Sequence, residues 1–225
     1  VAEHTVALML ATPANPTGML LPQLVLRQLQ DLVWDRGGRL IVDEIYHGLT
    51  YGTKAVTALS VADDLFVINS FSKYFGMTGW RLGWLVAPEA YQLELEKLAQ
   101  NLFLAAPTPA QYAALAAFAP ATMEILEQRR FAFQERRDYL LPALQDLGFV
   151  FPAVPEGAFY LYADCSGLTD DSFEFSRRLL EQAGVAVTPG ADFGSHHAAR
   201  YLRFAYTTAL ENLSVGVQRL RAFLA

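Results

Sequence analysis

In the first ninety residues, short apolar runs alternate with segments whose apolar side chains recur at helix spacing, and the runs lead into clusters of polar residues. This alternation restricts the chain to βαβ units and a mostly parallel sheet, because parallel strands need a long crossover that is usually helical. Residues 6–11 form the first apolar run. Pro13, Asn15, Pro16 and Gly18 make residues 12–18 a turn, and Pro22 is placed to open a helix. There Val25, Leu29, Leu32 and Val33 follow an i, i+4, i+7, i+8 stripe until Gly37-Gly38 stops it. Residues 39–42 predict a second strand running into Asp43-Glu44-Ile45-Tyr46. Residues 65–69 predict a third, running into Ser70-Phe71-Ser72-Lys73, and residues 82–87 a fourth, after a loop with Gly76, Gly79 and Arg81.

The second half reads differently. The most apolar stretch, residues 101–121, is interrupted by Pro107, Pro109 and Pro120, so no membrane span is expected. A long helix over 122–147, kinked at Pro142 and ended at Gly148, precedes strands near 158–163 and 201–206, with a helix over 172–183 between them. The last helix carries Leu210, Leu213, Val217, Leu220 and Leu224, and Thr208-Ala209-Leu210-Glu211 at its start resembles a capping box. This half predicts a smaller α+β domain. At the other end, residues 6–11 follow Glu3 and no basic segment, which favours a strand of a chain that starts mid-protein over a signal peptide.

Composition narrows the function classes. Apolar residues make up 53% of the 225 and charged residues 18%, against about 45–50% and about 25% in ordinary soluble domains. Such an excess predicts apolar surface covered by a partner subunit or by further polypeptide. With 17 basic against 23 acidic residues the net charge is −6, and no basic block exists, which argues against a nucleic-acid footprint. The single cysteine, Cys165, excludes an internal disulfide and a cysteine-rich metal site, and is compatible with a cytoplasmic protein. His196 and His197 are adjacent, so their side chains point apart, and no third ligand lies nearby; no metal is expected.

In open α/β sheets ligands bind beyond the carboxyl ends of the strands. Asn15, Asp43, Tyr46, Ser70, Ser72, Lys73 and Arg81 fall at such ends or just past them. Taken singly they are unremarkable, since an Asp after a strand is often a helix cap, a lysine a surface charge, and Asn-Pro-Thr-Gly an ordinary turn. Together they suit an aldehyde cofactor with a pyridine ring and a phosphate. A neutral Lys73 amine condenses with the aldehyde as a Schiff base. Asp43 pairs with the protonated ring nitrogen, and Tyr46 and Asn15 hydrogen-bond the phenolic oxygen. Ser70, Ser72 and Arg81 take the phosphate.

The stretches Ala14-Asn15-Pro16-Thr17-Gly18, Val42-Asp43-Glu44-Ile45-Tyr46, Ser70-Phe71-Ser72-Lys73 and Gly79-Trp80-Arg81-Leu82-Gly83 stand in the order found in class I/II aminotransferases of the fold-type I pyridoxal-phosphate enzymes, which this chain resembles along its whole length. The resemblance implies the later part of a mostly parallel three-layer α/β/α large domain, residues 1–118, followed by a small α+β domain, residues 119–225. It implies pyridoxal 5′-phosphate as cofactor, with Lys73, Asp43 and Tyr46 as catalytic residues and Ser70 and Arg81 at the phosphate. Arg203, within Tyr201-Leu202-Arg203-Phe204-Ala205, matches the arginine that clamps the substrate carboxylate, and Asn15 serves both substrate and cofactor. Residues 188–194 match a loop near the substrate, and residues 157–160 are expected to border the pocket.

Amino-group transfer between an α-amino acid and a 2-oxo acid in a cytoplasmic homodimer is the implied activity. A lyase of the same fold, or a non-catalytic aminotransferase-like sensor domain, would share these residues. Only fourteen residues precede Asn15, whereas the family carries a further half ahead of that loop. The chain therefore reads as a C-terminal portion lacking a glycine-containing phosphate loop and a ring-stacking aromatic. Residues 101–113 contain no Lys or Arg, which disfavours a dicarboxylate specialist.

Overall fold

Three apolar runs of the first half pair in parallel, as their spacing by helix-length segments requires. The computed structural model describes residues 4–225. Strands β1 (Ala7–Ala11), β2 (Arg39–Asp43) and β3 (Phe66–Ser70) lie side by side in that order, with Ala11 opposite Asp43 and Asp43 opposite Ile68. Their last residues therefore reach one end of the sheet together. β4 (Gly83–Val86) adds an antiparallel edge, with Gly83 opposite Ser70. A Cβ on Gly83 would stand 2.7 Å from the Asn69 carbonyl oxygen, so this close approach of β4 to β3 needs glycine.

Leu40, Val42, Ala58, Leu65 and Val67 form a buried cluster against which Leu8 and Leu10 pack. Helix α1 (Gln23–Trp34) supplies the crossover between β1 and β2, but its buried stripe is Leu26, Gln30 and Val33. The expected stripe is rotated: Val25 and Leu29 lie at its rim and Leu32 is exposed. Gln30 turns inward because its amide donates to Asp64 Oδ1 at 2.9 Å, which satisfies a donor that burial would otherwise strand.

Of two further helices, α2 (Gln92–Leu102) ends at the start of the proline-interrupted stretch and α3 (Thr108–Ala117) lies within it. Pro109 stands in the first turn of α3 and Pro120 is the first residue of α4 (Pro120–Gln145), positions where a missing N–H costs nothing. Pro142 lies inside α4. β4 is exposed along its whole length, α2 buries no residue, and Leu102, Tyr112 and Leu115 are all at least 70% exposed. The apolar excess of the composition is concentrated here.

Among the described residues, 4–14 together with Met19–Arg130 make one compact unit, and Asn15–Gly18 with Phe131–Ala225 make another. The division falls within α4, because Glu127 and Arg130 bond to Tyr74 and Thr50 of the first unit. The second unit holds an antiparallel sheet in the order β5 (Tyr160–Asp164), β7 (Tyr201–Ala205), β6 (Thr188–Pro189). β5 starts at Tyr160 and not at 158 because Ala158 takes a φ of +60°, outside strand geometry.

Helix α5 (Ser172–Arg178) is capped by Asp171, whose carboxylate accepts from the N–H groups of Phe173 and Glu174, and it continues as a π-helical turn to Ala183. The last helix, α6 (Leu210–Leu224), begins after Ala209 and shows no capping box. Thr208 Oγ1 instead accepts from the Asn212 side-chain amide at 2.9 Å, so the hydroxyl is engaged one turn on.

Candidate active site

In the first unit the two polar loops follow adjacent parallel strands. Asp43 ends β2, and its Oδ1 accepts the Ile45 N–H at 2.9 Å, which tightens the turn that brings Tyr46 back into the core. Ser70 ends β3, and three residues later the Lys73 ammonium stands 5.8 Å from the centroid of the Tyr46 ring. The carboxylate, phenol and amine singled out in the sequence thus belong to neighbouring turns at one end of the sheet.

Ser70 and Ser72 hydroxyls are 2.9 Å apart; Ser70 Oγ also accepts the Ser72 N–H at 3.0 Å and lies 3.1 Å from the Leu82 carbonyl. Thr78 donates its hydroxyl to the Ser72 carbonyl at 2.6 Å, and Arg81 donates Nη1 to the Thr78 carbonyl at 3.0 Å. Arg81 itself takes a left-handed conformation, φ +54°, rarely adopted by a side-chain-bearing residue. A chain of hydrogen bonds therefore links the two serines, Thr78 and Arg81.

Sequence reasoning overlooked Glu44. It is almost fully buried, its Oε1 accepts from the Ala58 N–H at 2.7 Å and the Thr57 hydroxyl at 3.0 Å, and its Oε2 lies 3.2 Å from His47 Nδ1. Burial pushes its carboxyl above the ordinary value despite those bonds, and burial pushes His47 down. Glu44 ties the Asp43–Tyr46 turn to a segment thirteen residues on; a charged residue directly after a buried strand was the available signal.

In the second unit Arg203, on β7, donates Nη1 to Asn15 Oδ1 at 2.8 Å and Nη2 to Thr188 Oγ1 at 3.3 Å. Its guanidinium lies 4.2 Å from the Tyr160 ring centroid and 4.7 Å from that of Phe193, so two aromatic faces hold the fork. Nε is buried without a hydrogen-bond partner. The Asn15 turn is fixed in turn by Gly18. Its carbonyl accepts from the N–H groups of Glu156 and Gly157, and its φ is +68°. Residues 157–160 and 188–194 thus contribute directly to the Arg203 surroundings through Tyr160, Thr188 and Phe193. Among the described residues no cluster of three or more metal-ligating side chains occurs.

The model of the family "aminotransferase class I and II" matches residues 2–220. The chain belongs to that family. It is 36% identical over 216 residues to the valine–pyruvate aminotransferase of Mycobacterium tuberculosis, covering 95% of this chain and 56% of that protein. To the aspartate/prephenate aminotransferase of Thermus thermophilus it is 36% identical over 228 residues, covering 100% of this chain and 58% of the relative. A solved structure from Silicibacter pomeroyi superposes with a TM-score of 0.92 at 48% identity, over 97% of this chain and 58% of the other. The chain thus has the α/β fold of the family's solved structures and spans well under two thirds of the length of these relatives. No helix of the described residues is long and apolar enough to cross a membrane.

Proposed function

We propose that this chain carries the cofactor-anchoring and substrate-reading residues of an aminotransferase that moves an amino group between an α-amino acid and a 2-oxo acid. The carrying observation is the Lys73 ammonium 5.8 Å from the Tyr46 ring, on turns that follow adjacent parallel strands, with Asp43 closing the strand beside it. Family membership supplies pyridoxal 5′-phosphate as the cofactor.

The donor set fits that group: an amine for its aldehyde, a carboxylate for its ring nitrogen, a phenol and an amide for its phenolic oxygen, and two hydroxyls with a guanidinium for its phosphate. When bound, it supplies an electron-withdrawing ring that takes up the electron pair left at the substrate Cα. Lys73 would anchor it through Nζ and, as a free amine, would take the substrate Cα proton on Nζ as general base and deliver it, as general acid, to a carbon other than the one it came from. Asp43 holds a proton on the ring nitrogen, which keeps the ring electron-poor. Tyr46 donates its phenolic proton towards the ring oxygen, and Asn15 does so through its amide N–H, since Arg203 already occupies its Oδ1. Ser70, Ser72 and Arg81 hold the phosphate. Arg203 takes the substrate carboxylate, and its immobilised fork reduces the ordering cost of that contact.

The same reading makes the protein a cytoplasmic homodimer. Exposed apolar residues on β4, α2 and α3 support a subunit contact, and the lone, unbridged Cys165 suits a reducing compartment. In this reading residues 1–118 are the later part of the cofactor-binding domain and residues 119–225 the small domain. The test is an absorbance titration of the chain with pyridoxal phosphate, alongside Lys73→Ala. A pH-dependent band of lysine-bound cofactor that Lys73→Ala abolishes is expected; the same band in both proteins refutes the assignment.

A further inference from the structure

Lys73 and Tyr74 are neighbours in the chain, and their side chains engage two residues of one turn in the loop after β2. The Lys73 ammonium stands by the Tyr46 ring. The Tyr74 ring lies against Gly48, where a Cβ would stand 2.5 Å from the ring Cγ. Gly48 holds a φ of +90°, so the missing side chain both permits that turn and leaves room for the ring.

The far end of Tyr74 is also held. Its hydroxyl donates to Glu127 Oε1 at 2.6 Å, on α4 and 53 residues away. Glu127 Oε2 accepts Arg130 Nε at 2.8 Å, and Arg130 Nη1 donates to the Thr50 carbonyl at 3.1 Å. The circuit is closed: the Lys73 loop reaches α4 through Tyr74, and α4 returns through Arg130 to the turn that carries Tyr46. Burial and then the Glu127 bond push the Tyr74 phenol up to about 12. Burial pulls Glu127 up, but the bonds from Tyr74 and Arg130 outweigh it and hold the carboxyl below its ordinary value. Near neutral pH the phenol therefore keeps its proton and the carboxylate its charge, the combination that makes this hydrogen bond short and strong.

We propose that Tyr74 is a positioning residue for Lys73, clamped between Gly48 and the Glu127–Arg130 pair so that the amine is held against Tyr46. The proposal rests on the reading of Lys73 as the cofactor-anchoring amine. A lysine side chain has four rotatable bonds, so fixing its backbone and its neighbour limits the space its Nζ samples, and misplacement on the scale of 1 Å at a reacting group is costly.

The test uses the 225-residue chain. Pyridoxal phosphate is added, the lysine adducts are reduced with borohydride, and the rate of trapping at each lysine is read by peptide mass mapping, with Lys54 and Lys97 as internal references. In the wild type Lys73 is expected to outpace both. Tyr74→Phe keeps the ring on Gly48 and removes only the hydroxyl, while Glu127→Ala alters a helical site whose side chain is 44% exposed and should leave folding intact. Each is expected to lower the Lys73-to-Lys97 ratio about fivefold, the effect of losing one partly exposed charge-assisted bond. The double variant should fall no further than Glu127→Ala, because that change already removes the one bond that Tyr74→Phe removes. Folded variants, verified by thermal melting, that keep the wild-type ratio overturn the positioning role and leave the reading of Lys73 intact. A wild-type Lys73 trapped no faster than Lys97 overturns that reading, and the positioning role with it.

Discussion

Replacing Glu44 by alanine should destabilise the chain by about 3 kcal/mol, whereas Glu44→Gln should cost about 1 kcal/mol. The carboxylate is 3% exposed, so solvent screening is slight, and its Oε1 accepts from the buried Ala58 N–H at 2.7 Å and the Thr57 hydroxyl at 3.0 Å. Hydrogen bonds to charged groups contribute roughly 1.5–3 kcal/mol each, and a buried donor left unpaired costs about 1–3 kcal/mol, while the desolvation of the charge subtracts from the total. Alanine removes every acceptor and opens a cavity; glutamine keeps an oxygen for Ala58 but places an amide NH2 where Oε2 faces His47 Nδ1. Urea midpoints at unchanged m-value measure both. The pH dependence supplies an independent sign. Because burial raises the Glu44 carboxyl in the folded state, its contribution is fully present below the unfolded value and is lost as pH rises through the folded one. On acidification from neutrality the wild type should therefore gain on Glu44→Gln. Equal midpoints for the alanine and glutamine variants, or a gap that narrows as the pH falls, would refute the account of Glu44 as the clasp of the Asp43–Tyr46 turn.

Two more outcomes follow from the second unit. At Gly18 the φ of +68° and a Cβ placed 2.6 Å from the Gly157 carbonyl oxygen combine, whereas Gly37 has a φ of +72° with open space around it. Gly18→Ala should lower the melting temperature by roughly 5–10 °C and Gly37→Ala by about 2–4 °C, so similar shifts for the two would discount the packing of the Asn15 turn. Cys165 is buried, and burial followed by the Asp164 charge pushes its thiol up to about 11. At pH 8 about one thiol in a thousand is ionised, so a disulfide reagent should label it only after denaturation, and rapid labelling of the native chain would contradict its placement.

What the sequence makes legible follows the reach of each interaction. The polar clusters after β2 and β3 were readable because the end of an apolar run marks the end of a strand, and parallel pairing then brings those ends together without further information. The α1 stripe was misread because its leucines and valines offer two apolar faces one residue apart. The choice was made by Gln30 reaching Asp64, 34 residues away. Helix α3 was concealed by prolines that interrupt a helix from within yet suit its first turn, and no local rule separates the two cases before the helix start is known. Arg203 was readable only through resemblance, since its holders Asn15, Tyr160, Thr188 and Phe193 come from three separate segments. Glu44 and Tyr74 adjoin the motifs and yet escaped them for the same reason: each meets its decisive partner far along the chain, Glu44 at Thr57 and Ala58, Tyr74 at Glu127. In the proposed function the motif residues are those whose chemistry the cofactor demands. The residues beside them answer to packing partners far along the chain, which hold the backbone next to Asp43 and Lys73.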